Sequence, residues 1–201
     1  MLLDPCFLAL YAGLALGVLG TVVALEAAQP YIGRVPPIPS VPRVRRAVLG
    51  ALRRHWCSTP AGARVWELGS GWGGLALAIA RDFPEAHVVG VECRTLPYWV
   101  SRARLILAHA LGRCRNLSFI REDFRALELA PCAAAVGFLL PDVLRGLPGR
   151  LPKGCVLVSA VFPVPGLVPL DTHTGPTLRT YAYAYRIGSP LEQAAQPPVP
   201  V

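Results

Sequence analysis

The sequence predicts an α/β fold, a doubly wound and mostly parallel seven-stranded sheet behind an N-terminal transmembrane helix. Three observations point there. From Arg64 onward, short apolar runs alternate with helical segments, the order expected of a parallel sheet. The first run passes directly into the glycine-rich turn Gly69-Ser70-Gly71-Trp72-Gly73-Gly74 and then into a helix. Ahead of these lie 19 residues without a charge, Phe7 to Leu25, bounded by Asp4 and Glu26.

At the rise of an α-helix this N-terminal stretch crosses roughly 30 Å of hydrocarbon. A cleaved signal peptide would carry a basic leader, where this chain has Asp4. A buried core helix would be shorter and amphipathic, whereas this stretch is apolar all round. Arg34, Arg43, Arg45, Arg46, Arg53 and Arg54 follow it, and no Lys or Arg precedes it. Because the basic flank stays inside, the rest of the chain is expected on the cytoplasmic face of a bacterial inner membrane or the matrix face of a mitochondrial one.

The expected organisation is a membrane helix over residues 1–28, a connector over 29–43, an α/β domain over 44–188 and a disordered tail over 189–201. The connector has five prolines in the thirteen residues from Pro30 to Pro42, which leaves it too short of donors for helix or central strand. The tail is rich in Pro, Gln and Ala.

Within the domain, Val44 to Trp56 reads as an amphipathic helix with Val44, Ala47, Val48, Ala51 and Leu52 on its apolar face. Val65 to Leu68 is a strand and Gly74 to Asp82 a helix. His87 to Glu92 is a strand, and Pro97 to Leu111 a helix with its apolar face at Val100, Ala103, Leu107 and Ala110. Leu117 to Arg121 and Ala133 to Leu139 are strands, and Asp142 is placed to cap a helix running to about Leu151. Cys155 to Val161 is a fifth strand and Gly166 to Leu170 a weak one. Thr177 to Ile187 closes the sheet with the alternating Tyr181, Tyr183 and Tyr185.

The chain is 53% hydrophobic and carries a net charge of +8, with a mean hydropathy of +0.45. Its arginines are dispersed and densest beside the N-terminal stretch, which fits anionic headgroups better than nucleic acid. Six cysteines show no CxxC and no regular spacing, so no metal site is expected.

The chemistry centres on Glu67-Leu68-Gly69-Ser70-Gly71-Trp72-Gly73-Gly74. Gly69, Ser70, Gly71 and Gly73 form a turn over which a ligand can lie, and the following helix N-terminus offers free amides to a polar group. The spacing fits the dinucleotide fingerprint and an adenosyl cofactor equally. Three features favour the second. Glu67 sits inside the strand, where a carboxyl needs a polar partner such as the methionine end of S-adenosylmethionine. Glu92 ends the next strand, 23 residues after Gly69, and can accept ribose hydroxyls, as it also would for NAD. Asp123-Phe124 follows the third strand and pairs an acceptor with a ring, which suits an adenine. A dehydrogenase would in addition need a substrate domain, for which the remaining length leaves little room.

These segments, with Val89-Gly90-Val91-Glu92 and Glu122-Asp123-Phe124, resemble the motifs of class I, seven-stranded methyltransferases. More narrowly, the chain resembles the membrane-associated lysine methyltransferases that modify the adenine nucleotide translocase and the ATP synthase c subunit. That resemblance spans about residues 7–187. It includes Ile38-Pro39-Ser40-Val41-Pro42, Leu139-Leu140-Pro141, the run Val158 to Pro165, and Tyr181-Ala182-Tyr183. It implies S-adenosylmethionine as cofactor and lysine methylation of an integral membrane protein. Two departures stand out: Glu67 replaces an Asp, and Trp72-Gly73-Gly74 replaces Asp-Gly-Arg.

No catalytic base is evident. The fourth strand ends in Phe138-Leu139-Leu140-Pro141, not in the Asn/Asp-Pro-Pro-Tyr motif that amide or adenine methylation would want. Leu140, Pro141 and Phe162, at strand ends, can wall an apolar acceptor channel, and Ser40 can either close over the cofactor or serve as a turn residue. Two other readings remain: methylation of a membrane-dissolved small molecule such as a quinone, and a non-catalytic binding or assembly role, for which Trp72 leaves room.

Overall fold

The computed structural model describes residues 41–56, 62–174 and 180–188, together with eleven positions between Phe7 and Thr21. The chain divides into two compact units, residues 1–34 and 35–201. In the first, the described residues are helical and exposed, and the Thr21 hydroxyl donates to the Gly17 carbonyl at 2.9 Å. Among the described residues no helix is long and apolar enough to cross a membrane. Parts of the expected transmembrane segment, most of the proline-rich connector, Ser40, the start of the last expected strand and the tail lie outside the described residues.

The second unit holds the sheet. Its elements run α1 (Pro42–His55), β1 (Arg64–Leu68), α2 (Gly74–Asp82), β2 (His87–Val91), α3 (Thr95–Ala110), β3 (Leu117–Ile120), β4 (Ala134–Gly137), α4 (Pro141–Arg145), a 3-10 turn (Pro148–Arg150), β5 (Val156–Ala160), β6 (Asp171–Thr174) and β7 (Thr180–Arg186). The seven strands lie in the order β3-β2-β1-β4-β5-β7-β6. Strands β1 to β5 pair in parallel, and β7 runs antiparallel between β5 and β6. Strand order reverses between β2-β1 and β1-β4, and open α/β sheets bind ligands beyond the carboxyl ends at such a switch.

Alternation along the strands sends Val65, Val88, Leu117, Phe119, Ala134, Val136, Val156 and Val158 to one face, beneath α1, α2 and α3. Trp66, Leu68, Val89, Val91, Ala135 and Leu157 go to the other. The two faces are covered unequally. Among the described residues the second is covered by α4 with its Leu144, by the 3-10 turn flanked by Leu147 and Leu151, and by the loop residues Leu129 and Val164, so the double winding is thinner on that side than expected.

Three sequence expectations are corrected. The helix after β4 stops at Arg145, with Leu140 as its N-cap and Asp142 inside the first turn making no capping bond. Gly146 and then Pro148 break the pattern there. The weak strand expected over Gly166 to Leu170 is loop, and β6 lies just beyond it, where Asp171 to Thr174 can pair with β7. Helix α3 buries Pro97, Ser101, Leu105 and Ala108, whereas Ala103, Leu107 and Ala110 of its expected apolar face stand exposed. Close packing decides this. A Cβ at Gly73 would lie 2.7 Å from both Ser101 Cβ and Phe119 Cζ, so at Ser101 only a small side chain fits beneath the turn.

Phe119 fills the space beneath Gly90 as well. A Cβ at Gly90 would come within 2.5 Å of Phe119 Cδ1 and Cε1, and the ring is buried. Gly90→Ala should therefore destabilise the fold by about 1–3 kcal/mol in denaturant titrations. Phe119→Leu in the same background should recover part of the loss. Equal melting of Gly90→Ala and the parent would contradict this packing.

Candidate active site

The site is built where β1, β2 and β3 end. Strand β1 delivers Glu67 and Leu68 into the turn, whose Gly69, Gly71 and Gly73 take φ of 72°, 52° and 72°. Such positive values favour glycine. Gly69 is exposed, and a Cβ there would meet only Leu139, at 3.4 Å. Gly73 is buried, and a Cβ there would run into Ser101 and Phe119, so close packing also demands glycine at this position. The turn is tied inward by the Ser70 amide donating to the Val91 carbonyl (2.8 Å) and the Gly73 amide to the Ser70 carbonyl (2.9 Å).

Glu92 clamps this turn to the end of β2. One carboxylate oxygen accepts the Gly71 amide at 2.7 Å and the other accepts the Arg94 amide at 2.9 Å. The side chain is buried. Sequence reading assigned Glu92 to a ligand ribose, and the clamp is a role it did not foresee. Oε1 also accepts the Cys93 thiol at 3.7 Å, whereas Oε2 keeps a second lone pair for a ligand hydroxyl, so the two roles are compatible.

Glu67 is buried within β1, and its Oε2 finds no hydrogen-bond partner among the described residues. Burial, opposed by the Ala76 amide and reinforced by the charge of Glu92, pushes its carboxyl up to about 8. Ser70 Oγ is a second buried polar atom without a partner among the described residues. Two orphaned polar atoms against an open glycine turn form a cradle whose chemistry fits a ligand bearing an ammonium or hydroxyl.

Asp123 reaches the same rim but is already engaged. Both oxygens receive Arg125, with Nη2 at 2.7 Å and Nε at 3.0 Å, and this pairing holds its carboxyl below the usual carboxylate range. An adenine amine would share Asp123 with Arg125, a partner that sequence reading missed. Phe124 packs against the second core face, and Arg150 donates to its carbonyl (3.1 Å) and to that of Leu127 (2.6 Å). Cys93 also went unnoticed. It is half-buried, and its thiol is pushed up first by burial and then by the charges of Glu92 and Asp123. The charge of Glu92 acts on Glu67, and the charges of Glu92 and Asp123 act on Cys93, so the three expected acids lie within electrostatic reach of one another or of a shared neighbour.

Trp72 stands half-buried, and its carbonyl accepts Arg104 Nη1 of α3 at 2.9 Å. An arginine from the neighbouring helix therefore braces the turn at the point where the motif departs from Asp-Gly-Arg.

Beyond β4 and β5 lies an aromatic wall. Phe138 and Phe162 stack with centroids 6.0 Å apart at 25°, and Leu140 and Pro141 sit half-buried at the entry to α4. Val161, between β5 and Phe162, has a φ of 70°, and the Phe162 amide donates to the Ala160 carbonyl at 2.8 Å. This is a γ-turn of the strained hand, uncommon for any residue and most so for a β-branched one. The Ser159 hydroxyl locks it by donating to the Phe162 carbonyl at 2.6 Å. Phe138 and the strained turn carry no signal in periodicity.

Glu67 gives the cradle a titration signature. Its folded value is raised, so the folded chain holds a proton that the unfolded chain has released between about pH 4.5 and pH 8. Stability should be greatest below that window and fall as pH rises through it, by on the order of 4 kcal/mol. Glu67→Gln should lose this slope. Denaturation midpoints that fall in parallel for both proteins would contradict the assignment.

Residues 67–171 match the ANTKMT methyltransferase domain family. The adenine nucleotide translocase lysine N-methyltransferase of Mus musculus is 31% identical over 140 residues, covering 68% of this chain and 59% of that protein. The type II methyltransferase M.XamI of Xanthomonas campestris pv. amaranthicola is 34% identical over 77 residues, 38% of this chain and 14% of that protein. The chain thus spans less than two thirds of the length of either relative. An RNA methyltransferase from Salinibacter ruber, solved with S-adenosyl-L-homocysteine, shares the fold at a TM-score of 0.61 and 22% identity, over 75% of this chain and 94% of that one. The family match covers more than half of the chain and begins at the buried glutamate of the glycine turn. The chain belongs to the ANTKMT methyltransferase family, class I enzymes that use S-adenosylmethionine.

Proposed function

We propose that the chain methylates the side-chain amine of a lysine in a protein embedded in the membrane to which the chain is itself anchored by its N-terminal apolar stretch. The observation that carries the chemistry is the buried Glu67 carboxyl beside the glycine turn, whose Oε2 has no hydrogen-bond partner among the described residues. The lysine acceptor follows the name of the mouse relative, a lysine N-methyltransferase. The exposed apolar side chains of the N-terminal unit, among them Phe7, Leu10, Tyr11 and Leu14, support the anchor.

S-adenosylmethionine supplies an electrophilic methyl group on a sulfonium. The cradle residues bind and orient: Glu67 and Ser70 serve the amino-acid end, Gly69 and Gly71 leave room for it, Glu92 serves the ribose and Asp123 with Phe124 the base. Glu67 gives up its proton when a cation docks beside it, so binding below about pH 8 should release a proton. An apolar site disfavours the ammonium form of lysine and so raises the fraction of free amine. Phe138 and Phe162 offer ring faces to the positive charge that forms on the acceptor nitrogen. Leu140 and Pro141 exclude water from the channel, and in-line alignment provides most of the remaining acceleration.

Incubation with radiolabelled cofactor and native membranes should label a small hydrophobic protein, and acid hydrolysis should return the label as methyl-lysine. Label confined to solvent-extractable lipid or quinone would overturn the acceptor assignment. Val161→Gly provides a second test. Releasing the γ-turn removes strain of about 1–3 kcal/mol, so stability should hold or rise. The aromatic wall should loosen and raise the KM for the acceptor by roughly tenfold, with the KM for S-adenosylmethionine unchanged. A variant with unaltered acceptor kinetics would remove Phe162 from the channel.

A further inference from the structure

Helix α3 wears its apolar face outward. Trp99, Ile106 and Leu107 are 58%, 63% and 61% exposed, and Leu111 just past the helix end is 53% exposed. Ala103 and Ala110 lie exposed among them. On a helical projection these side chains, with the half-buried Val100, fill a sector of about 140°. The face turned to the sheet is the modest one, made of Pro97, Ser101, Leu105 and Ala108. A helix covering a soluble sheet presents the reverse arrangement.

The flanks of this sector are basic. By the same projection Arg102 and His109 border one side and Arg104 the other, and Arg113 and Arg115 stand exposed just beyond the helix. No acidic residue occurs from Thr95 to Asn116. A row of Trp, Ile and Leu between arginines matches a helix lying in a lipid interface, where indole and aliphatic groups enter the acyl boundary and guanidinium groups meet phosphates. A second copy of this chain would bring the same arginines face to face, and an acidic protein would leave the apolar row uncovered.

We infer that the outer face of α3, through Trp99, Ile106, Leu107 and Leu111, docks on an anionic lipid surface. This contact is separate from the N-terminal stretch and holds the β3 edge of the sheet against the membrane. It does not depend on which acceptor is methylated.

The full chain, reconstituted into phosphatidylcholine vesicles with or without phosphatidylglycerol and carrying brominated acyl chains, tests this directly. Trp99 emission is isolated by subtracting the Trp99→Phe protein, because Trp56, Trp66 and Trp72 also emit. The expected result is a blue shift and quenching of Trp99 in anionic vesicles. Ile106→Glu with Leu107→Glu should reduce that quenching by at least about fivefold, and Ile106→Leu should preserve it. Both positions are exposed, so circular dichroism of the double variant should match the parent. Equal quenching with and without phosphatidylglycerol, no quenching in either, or a shift that follows protein concentration instead of lipid would each overturn the inference. The last would mark the face as a contact between copies.

Discussion

The carboxylate of Glu92 is the point on which the site's geometry depends. A glycine turn with three positive-φ residues has little intrinsic preference for one conformation. The ladder between β1 and β2 aligns the strands only as far as Leu68 and Val91. Past that limit the ladder offers the Gly71 amide no acceptor. Glu92 supplies one with its second oxygen already anchored on the Arg94 amide. A charged acceptor makes both bonds stronger than neutral ones. The turn is thereby fixed to the start of α3, and the same two bonds orient the carboxylate toward the crevice.

Two glutamates one strand apart face different electrostatic circumstances. Glu92 has two amides, whereas Glu67 has the Ala76 amide, an unpaired oxygen and the charge of Glu92 nearby. Burial makes ionisation of Glu67 costly in the unliganded chain. A cation placed beside it changes that balance, so the preference of the cradle for a positively charged ligand comes from the protein's own desolvation. Asp123 follows the opposite course: Arg125 satisfies it from the rim and leaves the crevice floor to the glutamates.

Much of this was legible in the residues. Alternating apolar runs located all five parallel strands to within a residue or two, because buried strands and amphipathic helices leave periodic traces. The helix from Gly74 to Asp82 followed from the glycine turn. The outward turn of α3 was not legible. Hydrophobic periodicity ranks faces by apolarity, and here the buried face was selected by size, under Gly73 and Phe119. Contacts between distant segments, such as Arg104 on the Trp72 carbonyl and Phe138 on Phe162, likewise leave no local pattern. They depend on which loop tips the sheet order brings together.

Strained backbone beside the aromatic wall bears on how such a site stays selective. A γ-turn at Val161 persists only because its neighbours overdetermine it: β5 pairs with β7 up to Ala160, the Val161 amide reaches the Tyr181 carbonyl at 3.1 Å, and Ser159 holds the Phe162 carbonyl. These restraints hold the Phe162 ring stacked against Phe138. A flexible, extended exit from β5 would allow the ring to turn away. The strain therefore maintains an apolar, ring-lined surface at the end of two strands, next to the turn that the glutamates hold. Cofactor cradle and aromatic wall are set by separate restraints on opposite sides of β1: Glu92 on the Gly71 amide for one, and Ser159 on the Phe162 carbonyl for the other.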